Sequence, residues 1–191
     1  MKYFYGLTLI LIGLFSACDI PQKTVPILGK IKQPFEFINQ DGERINEQLV
    51  KNKIYVTDFF FTTCPTICPK MKAQMLRVHE KFKDRTDVIL LSHSIDPKDS
   101  VEVLRDYAAR LEVKSEDWQF VTGDRNQIFS MAKAYMITAG VDANAPGGYI
   151  HSGALVLLDK KRRVRGYYDG TKAEETDDLI RDINRILNER K

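Results

Sequence analysis

Residues 54–61 form a continuous run of aromatic and β-branched side chains. A run of this kind, without the alternation of a half-exposed strand, is typical of a strand buried on both faces of a sheet. After a short loop, residues 69–82 place Met71, Met75, Val78 and Phe82 at three- and four-residue steps, which predicts a helix with one apolar face. A buried strand joined directly to a long helix indicates an α/β fold.

The remaining segments continue this alternation. Before the run, residues 35–38 and 44–45 flank the turn sequence Asn39-Gln40-Asp41-Gly42, which predicts a hairpin. After it we predict strands over residues 88–91 and 118–121, helices over 101–111 and from the cap Asp124 to 135, a loop over 138–149, a hairpin of strands 154–158 and 164–168, and a closing helix over 173–187. This order predicts an α/β, thioredoxin-like fold with an N-terminal β-hairpin extension.

Composition fits one packed domain, which we expect over residues 34–191. The chain is 43% hydrophobic and 29% charged, so it can bury a core and is not expected to be disordered. Its 29 basic and 26 acidic residues give a net charge of +3 without a basic patch, and we expect no nucleic acid partner.

The first residues indicate export. An apolar run over residues 3–17 follows Lys2 and is shorter than the roughly 20 residues that cross a bilayer as a helix. It ends in small residues before Cys18, which resembles the site where a bacterial lipoprotein signal is cut. We therefore expect a signal peptide over 1–17, lipidation of Cys18, a polar tether over 18–33, and a protein anchored to a bacterial membrane that faces the periplasm or the exterior.

Two cysteines lie where the buried strand meets the helix, in Cys64-Pro65-Thr66-Ile67-Cys68-Pro69. Proline disfavours the α conformation in the residue before it, so we expect Cys68 to be non-helical and Pro69 to be the first helical residue. Both thiols would then lie at a helix N-terminus, which lowers thiol pKa values. Such a pair can bind a soft metal, exchange disulfides or reduce a peroxide.

A metal at this pair would need further ligands. Thiolates select Cu(I) and zinc, and imidazole suits both, so a histidine is the expected third ligand. His79 lies well along the first helix, His93 ends the second buried strand, and His151 follows a glycine-rich stretch that could carry it to the cysteines. Among the three we favour His151.

These residues resemble the Sco/SenC family of thioredoxin-like copper metallochaperones. The resemblance covers roughly residues 34–187 and is carried by the segments 58–69, Ser94-Ile95-Asp96-Pro97, Val121-Thr122-Gly123 and His151-Ser152. It implies that Cys64, Cys68 and His151 bind copper as Cu(I), with Cu(II) as a second form. It also implies a mainly non-enzymatic carrier that delivers copper to the apo copper-A subunit of cytochrome c oxidase. We expect an unidentified copper donor or a thiol reductant as a further partner, because an oxidised cysteine pair has no thiolates to offer.

The chain departs from the family pattern at two places. The segment Asp96-Pro97-Lys98-Asp99 is one residue shorter than the family's, and Ile150 stands where the family often has an aspartate before its histidine. A fourth ligand for Cu(II) therefore stays open. Asp96 fits either an outer contact of the metal site or ordinary helix-start chemistry.

The same residues also fit three functions other than copper transport. A thiol-disulfide oxidoreductase would use Cys64 as the attacking thiol and Cys68 as the resolving thiol. A peroxiredoxin-like peroxidase would need an arginine near Cys64, and a structural zinc module would need a second cysteine pair.

Two further groups have a simpler structural interpretation. Met71 and Met75 are expected to pack in the core rather than bind copper. The cationic run Lys160, Lys161, Arg162, Arg163 and Arg165 is expected to be a solvated hairpin tip, with an anionic membrane or acidic partner as the alternative.

Overall fold

An eight-stranded mixed sheet, a separate two-stranded sheet and four α-helices form the core of the part of the chain, residues 24–189, that the computed structural model describes. In chain order the elements are β1 (Gly29–Lys30), β2 (Glu36–Asn39), β3 (Arg44–Asn46), β4 (Ile54–Phe60), α1 (Cys68–Phe82), β5 (Val88–Ser94), α2 (Val101–Arg110), β6 (Trp118–Thr122), α3 (Arg125–Ala134), β7 (Ala139–Val141), β8 (Tyr149–His151), β9 (Ala154–Leu158), β10 (Arg163–Asp169) and α4 (Ala173–Asn188).

The strand order is β1-β10-β9-β4-β5-β6-β2-β3. Strands β4, β5 and β6 run parallel at the centre, and β9 lies antiparallel to β4. Every residue of β4 and β5 is buried, as the largely apolar runs 54–61 and 88–91 predict. Together with the helical crossovers, this is the predicted thioredoxin-like arrangement. Because Phe60 pairs with Ser94, the carboxyl ends of β4 and β5 meet at one edge, where ligand sites of open α/β sheets form.

The predicted N-terminal hairpin is confirmed and extends the sheet. Strand β2 pairs with β3 and also with β6, where Ile38 lies opposite Thr122. The side chain of Gln40 donates to the carbonyl of Trp118 and accepts from the N–H of Phe120, at 2.8 Å each. These bonds satisfy backbone groups of β6 beyond the last residue of β2 and hold the hairpin in register.

The helices form where their sequences predict. Ser100 and Asp124 cap α2 and α3 by accepting hydrogen bonds from Val103 and Gln127. Met71 and Met75 are fully buried on α1, which confirms them as core residues. Burial of each such side chain stabilises the fold by about 1.5–3 kcal/mol.

Residues 138–149 differ from the predicted loop. Strands β7 and β8 form a separate two-stranded antiparallel sheet, in which Ala139 pairs with His151 and Val141 with Tyr149. Each strand has only three residues, too few to show an alternating pattern in the sequence. The turn between them carries the glycine and proline that suggested a loop.

The expected tether also differs in its described part. Val25 and Ile31 are buried, and β1 pairs with β10. The guanidinium of Arg165 donates to the carbonyls of Val25 and Pro26 at 2.6 and 3.0 Å. The packed body therefore begins ahead of residue 34. The expected signal peptide and Cys18 lie outside the described residues. Across residues 24–189 the helices are too short or too polar to span a bilayer.

The cationic run is not a fully solvated tip. Lys161 is exposed, but Lys160 pairs with Asp87, and Arg163 and Arg165 pair with Asp159. Arg165 is 3% exposed and also contacts Glu189. Most of these charges therefore have acidic or carbonyl partners within the domain, which weakens the case for a membrane or partner patch.

Candidate metal site

Cys64, Cys68 and His151 converge at the carboxyl edge of the sheet. Their sulfur and ring nitrogen atoms all lie within 4.8 Å of one another, and Nε2 of His151 is 3.1 Å from Sγ of Cys68. Among residues 24–189 this is the group of three whose histidine, cysteine or carboxylate ligand atoms lie close enough to hold a metal ion. Both described cysteines are free thiols.

The loop before Cys64 is held by a buried carboxylate. Asp99, 2% exposed, accepts hydrogen bonds from the backbone N–H of Thr62 at 3.0 Å, from its hydroxyl at 2.5 Å, and from the hydroxyl of Ser94 at 2.5 Å. Asp99 therefore ties the end of β5 to the loop that follows β4. This contact fixes the start of the cysteine loop.

Helix α1 begins one residue earlier than predicted. Ile67 is its N-cap, with φ −85° and ψ −30°, and Cys68 is the first helical residue. Pro69 is the second residue of the helix. Backbone N–H groups in the first turn have no partner within the helix, so the missing N–H of proline costs nothing there. The expectation that Cys68 is non-helical was wrong. Pro69 disfavours the α conformation in the residue before it, but it does not prevent Cys68 from adopting that conformation.

His151 presents one particular nitrogen to the cysteines. Its Nδ1 is 3.1 Å from the carbonyl of Ser152, which can only accept, so Nδ1 carries the proton and donates. Nε2 then has a free lone pair directed at Cys68. Burial lowers the pKa of His151, which keeps the imidazole neutral as a metal ligand must be.

The strand that carries His151 is braced by Phe61. The ring of Phe61 lies 5.3 Å from the ring of Tyr149 and 6.0 Å from that of His151. Gly147 has φ +81°, and a Cβ there would approach the Phe61 ring to 2.6 Å. The phenol of Tyr149 donates to Asp96 at 3.2 Å. Asp96 thus contacts the hairpin through Tyr149 and lies outside the group of three.

The pKa values of the two thiols are shifted in opposite directions. Burial disfavours the Cys64 thiolate, but hydrogen bonds from Cys68 and Thr66 outweigh it and lower the pKa of Cys64. Burial dominates at Cys68 and raises its pKa, reinforced by the neighbouring Cys64. The prediction of two lowered thiol pKa values was therefore right for Cys64 and wrong for Cys68, where desolvation exceeds the effect of the helix terminus.

The other two histidines lie elsewhere. His93 is fully buried, stacks on Phe59 with ring centroids 4.6 Å apart, and has Nδ1 3.1 Å from the hydroxyl of Thr57. Burial lowers the pKa of His93 to about 4. His79 is buried on α1, with Nε2 3.8 Å from Asp117. The structure thus brings His151, and neither of these, to the cysteines.

A charged pair that was not predicted from the sequence lies near the site. Lys72 on α1 and Asp58 on β4 form an ion pair of 2.6 Å with side chains 3% and 0% exposed. The signal was present, because Asp58 is the single charged residue inside the apolar run 54–61.

Two surface clefts border the site. One of about 380 Å³ is lined by residues that include Thr63, Asp96 and Tyr149, and one of about 340 Å³ by residues that include Ile67 and Tyr167. A larger cleft of about 610 Å³ lies between the N-terminal hairpin and α3 and contains none of the three candidate ligands. The volume of a cleft therefore does not identify the candidate metal site in this protein.

Comparisons with known proteins point to one family. The model of the family described as SCO1/SenC matches residues 27–188. A curated relative, the SCO1 protein homolog of Bacillus subtilis, is 33% identical over 187 residues, which cover 96% of each chain.

Solved structures of similar proteins have the same fold. A SCO1/SenC family lipoprotein from Bacillus anthracis superposes with a TM-score of 0.78 at 29% identity, over 87% of this chain and all of that one. BsSco, described as a cytochrome c oxidase assembly protein with a disulfide switch, gives 0.74 at 29% identity, over 88% and 100%. Arabidopsis thaliana ScoI, solved with copper bound, gives 0.67 at 25% identity, over 81% and 99%.

Proposed function

The chain belongs to the SCO1/SenC family, and we propose that it carries copper for the assembly of cytochrome c oxidase, bound by Cys64, Cys68 and His151. Its copper-bound and oxidase-assembly relatives support this proposal. Copper is the cargo of such a protein, and the chain need not turn over a substrate.

The observation that carries the proposal is the approach of His151 to the cysteines. Two thiols and one imidazole nitrogen within 4.8 Å of one another form a soft donor set, which suits Cu(I) better than hard cations. The bond from Nδ1 of His151 to Ser152 leaves Nε2 free to coordinate. A thiol pair that only exchanged disulfides would not require an imidazole beside Cys68.

Loading requires a reduced cysteine pair. Binding of Cu(I) displaces the thiol protons, while His151, neutral because of its lowered pKa, has none to release from Nε2. Cys64 lies among the exposed residues Thr63, Pro65 and Thr66, whereas Cys68 is 2% exposed in the helix. We expect an incoming ligand from the acceptor to replace Cys64 first and Cys68 last.

A Cu(II) form would need a further ligand. The carboxylate of Asp96 lies outside the group of three and accepts from Tyr149 and from the N–H of Lys98 through Oδ1, and Ile150 offers no ligand atom. The fourth position would therefore be filled by water or by a group of the acceptor.

The partners and location follow from the same family. We propose the apo copper-A subunit as acceptor, together with an unidentified copper donor and a thiol reductant. We also propose that residues 1–17 are removed and that Cys18 anchors the exported domain to a bacterial membrane by lipid. The similarity to a family lipoprotein supports the anchor.

A thiol-disulfide oxidoreductase is the second candidate, favoured by the opposite shifts of the two thiol pKa values. The Cys64 thiolate would attack a target disulfide, form a mixed disulfide and release one target thiolate. Cys68 would then lose its proton and displace the second target sulfur, leaving a Cys64–Cys68 disulfide. Peroxidase chemistry has less support, because within residues 24–189 the Cys64 thiol has hydrogen bonds with Cys68 and Thr66 and none with an arginine.

Replacement of the gene by single variants tests the proposed function. Cells with Cys64→Ala, Cys68→Ala or His151→Ala should lose cytochrome c oxidase activity and regain it with added copper. Retention of full activity by His151→Ala, with loss in both cysteine variants, would favour the oxidoreductase. Full activity in all three variants would contradict both candidates.

A further inference from the structure

The ion pair of Lys72 and Asp58 is fully partnered although it is buried. The ammonium of Lys72 donates to Asp58 at 2.6 Å and to the hydroxyl of Ser92 at 3.0 Å, and it lies 4.1 Å from the centroid of the Phe60 ring. The hydroxyl of Ser92 donates to Asp58 and accepts from the indole N–H of Trp118. The two charges are therefore held in fixed positions.

Stability alone does not account for this pair. Removal of two charges from water costs more than most buried ion pairs return, and apolar residues of similar volume often stabilise a fold as well or better. The surroundings, Phe60, Trp118 and Phe120, would suit an apolar side chain at position 72. A retained ion pair in such a place points to a role at the neighbouring site.

Lys72 lies close to the cysteine ligands along the helix. It follows Cys68 by four residues on α1, which places the two side chains one turn apart on the same face. Its ammonium contacts Asp58 and Phe60, which lie on β4, the strand that leads into the cysteine loop. The two charges therefore lie beside the helix and the strand that position the cysteines.

We propose that Lys72, held in place by Asp58, is a positioning residue that favours Cu(I) over Cu(II) in the site. This inference rests on the proposed function. Two thiolates, a neutral imidazole and Cu(I) carry one net negative charge, whereas the same ligands with Cu(II) are neutral. A fixed ammonium nearby stabilises the anionic complex and has no net charge to attract in the neutral one.

The test is the reduction potential of copper bound to the purified full chain. Bound Cu(II) takes one electron from a mediator to give Cu(I), and the loss of thiolate-to-Cu(II) absorption follows the reaction. The proteins are wild type, Lys72→Met, Asp58→Asn, Lys72→Arg and, as a matched control, Lys70→Met, whose lysine is exposed in the first turn of α1.

The two charge removals should act in opposite directions. Lys72→Met should lower the ratio of Cu(I) to Cu(II) affinity about tenfold, from loss of one nearby charge, which is about 59 mV for a one-electron couple. Asp58→Asn should raise the ratio, while Lys72→Arg and Lys70→Met should stay near wild type. A purely structural role would move Lys72→Met and Asp58→Asn in the same direction or leave both unchanged.

The outcomes separate this inference from the proposed function. If Lys72→Met and Asp58→Asn leave the reduction potential unchanged, or shift it in the same direction, the proposed role of Lys72 is wrong. The proposed copper-binding function would still stand. If Lys72→Met does not fold, Asp58→Asn decides: a higher potential supports the role, and an equal or lower one overturns it. If the wild type binds no copper, the proposed function fails and this inference fails with it.

Discussion

Nε2 of His151 lies 3.1 Å from Sγ of Cys68, although 83 positions separate the two residues in the chain. The contact depends on β8, which places His151 beside the loop after β4, and on the Nδ1 hydrogen bond that leaves Nε2 free. The protein's own contacts therefore hold the candidate ligands close together, which limits the ordering that metal binding must supply.

The glycine that packs on Phe61 should be needed for the position of His151. Both Gly147 and Gly148 have positive φ, but only at Gly147 would a Cβ meet the Phe61 ring, at 2.6 Å. We expect Gly147→Ala to weaken Cu(I) binding about tenfold, as loss of an outer contact of a metal site does. Gly148→Ala carries a similar backbone strain, of about 1–2 kcal/mol, and is the matched control. Equal Cu(I) affinities of the two variants would contradict the brace.

The two cysteines should react with an alkylating agent in a fixed order. The pKa of Cys64 is lowered, since hydrogen bonds outweigh its burial, and the pKa of Cys68 is raised by burial. Because the thiolate is the reactive form, iodoacetamide should modify Cys64 first. Peptide mass spectrometry after short exposure of the reduced protein measures this order. Modification of Cys68 at the same rate or faster would show that the assigned asymmetry is wrong.

Cu(I) affinity should rise with pH. Burial raises the pKa of Cys68, so this thiol holds its proton at neutral pH and must release it to the metal, while His151 is already neutral. Binding should therefore release between about one and two protons, and the affinity constant should rise about tenfold or more per pH unit. Competition titrations near pH 6 and pH 8 measure the slope, and Cys68→Ala should reduce it by one proton. An affinity independent of pH would show that Cu(I) binding releases no thiol proton, and it would contradict coordination by Cys68.

Arg165 should hold the first described residues on the domain. It is 3% exposed and bonds to Asp159, Glu189 and the carbonyls of Val25 and Pro26. Arg165→Ala would remove its hydrogen bonds to these groups while Asp159 keeps Arg163 as a partner, and we expect the free energy of unfolding in urea to fall by about 1.5–3 kcal/mol. Hydrogen exchange of residues 28–31 should speed up as well. Lys161→Ala, at an exposed position, should change the free energy of unfolding by less than about 0.5 kcal/mol. If both variants lose the same stability, the contacts of Arg165 are not the cause of the loss.

The sequence predicted what local patterns determine. The apolar run 54–61 indicated β4, the spacing of Met71 and Met75 indicated α1, and Asp124 marked the start of α3. The cysteine loop at this junction, together with the resemblance to the Sco/SenC family, indicated the site and its histidine.

What the sequence did not predict depends on contacts between distant residues. The pairing of β7 with β8 is visible only in three dimensions, and so are the contacts of Arg165 with Val25 and Glu189. The raised pKa of Cys68 arises from burial by elements that are remote in the chain. The partner of Asp58 is likewise a lysine fourteen positions away, on a helix that packs over its strand.

The affinity for Cu(I) of the reduced protein tests the central claim most directly. Titration against a chromophoric Cu(I) chelator should show one copper per chain for the wild type and for His79→Gln, whose histidine lies outside the site. Cys64→Ala, Cys68→Ala and His151→Ala should each weaken binding by about tenfold or more. If His151→Ala binds Cu(I) as tightly as the wild type, the histidine is not a ligand and the copper site proposed for this chain is wrong.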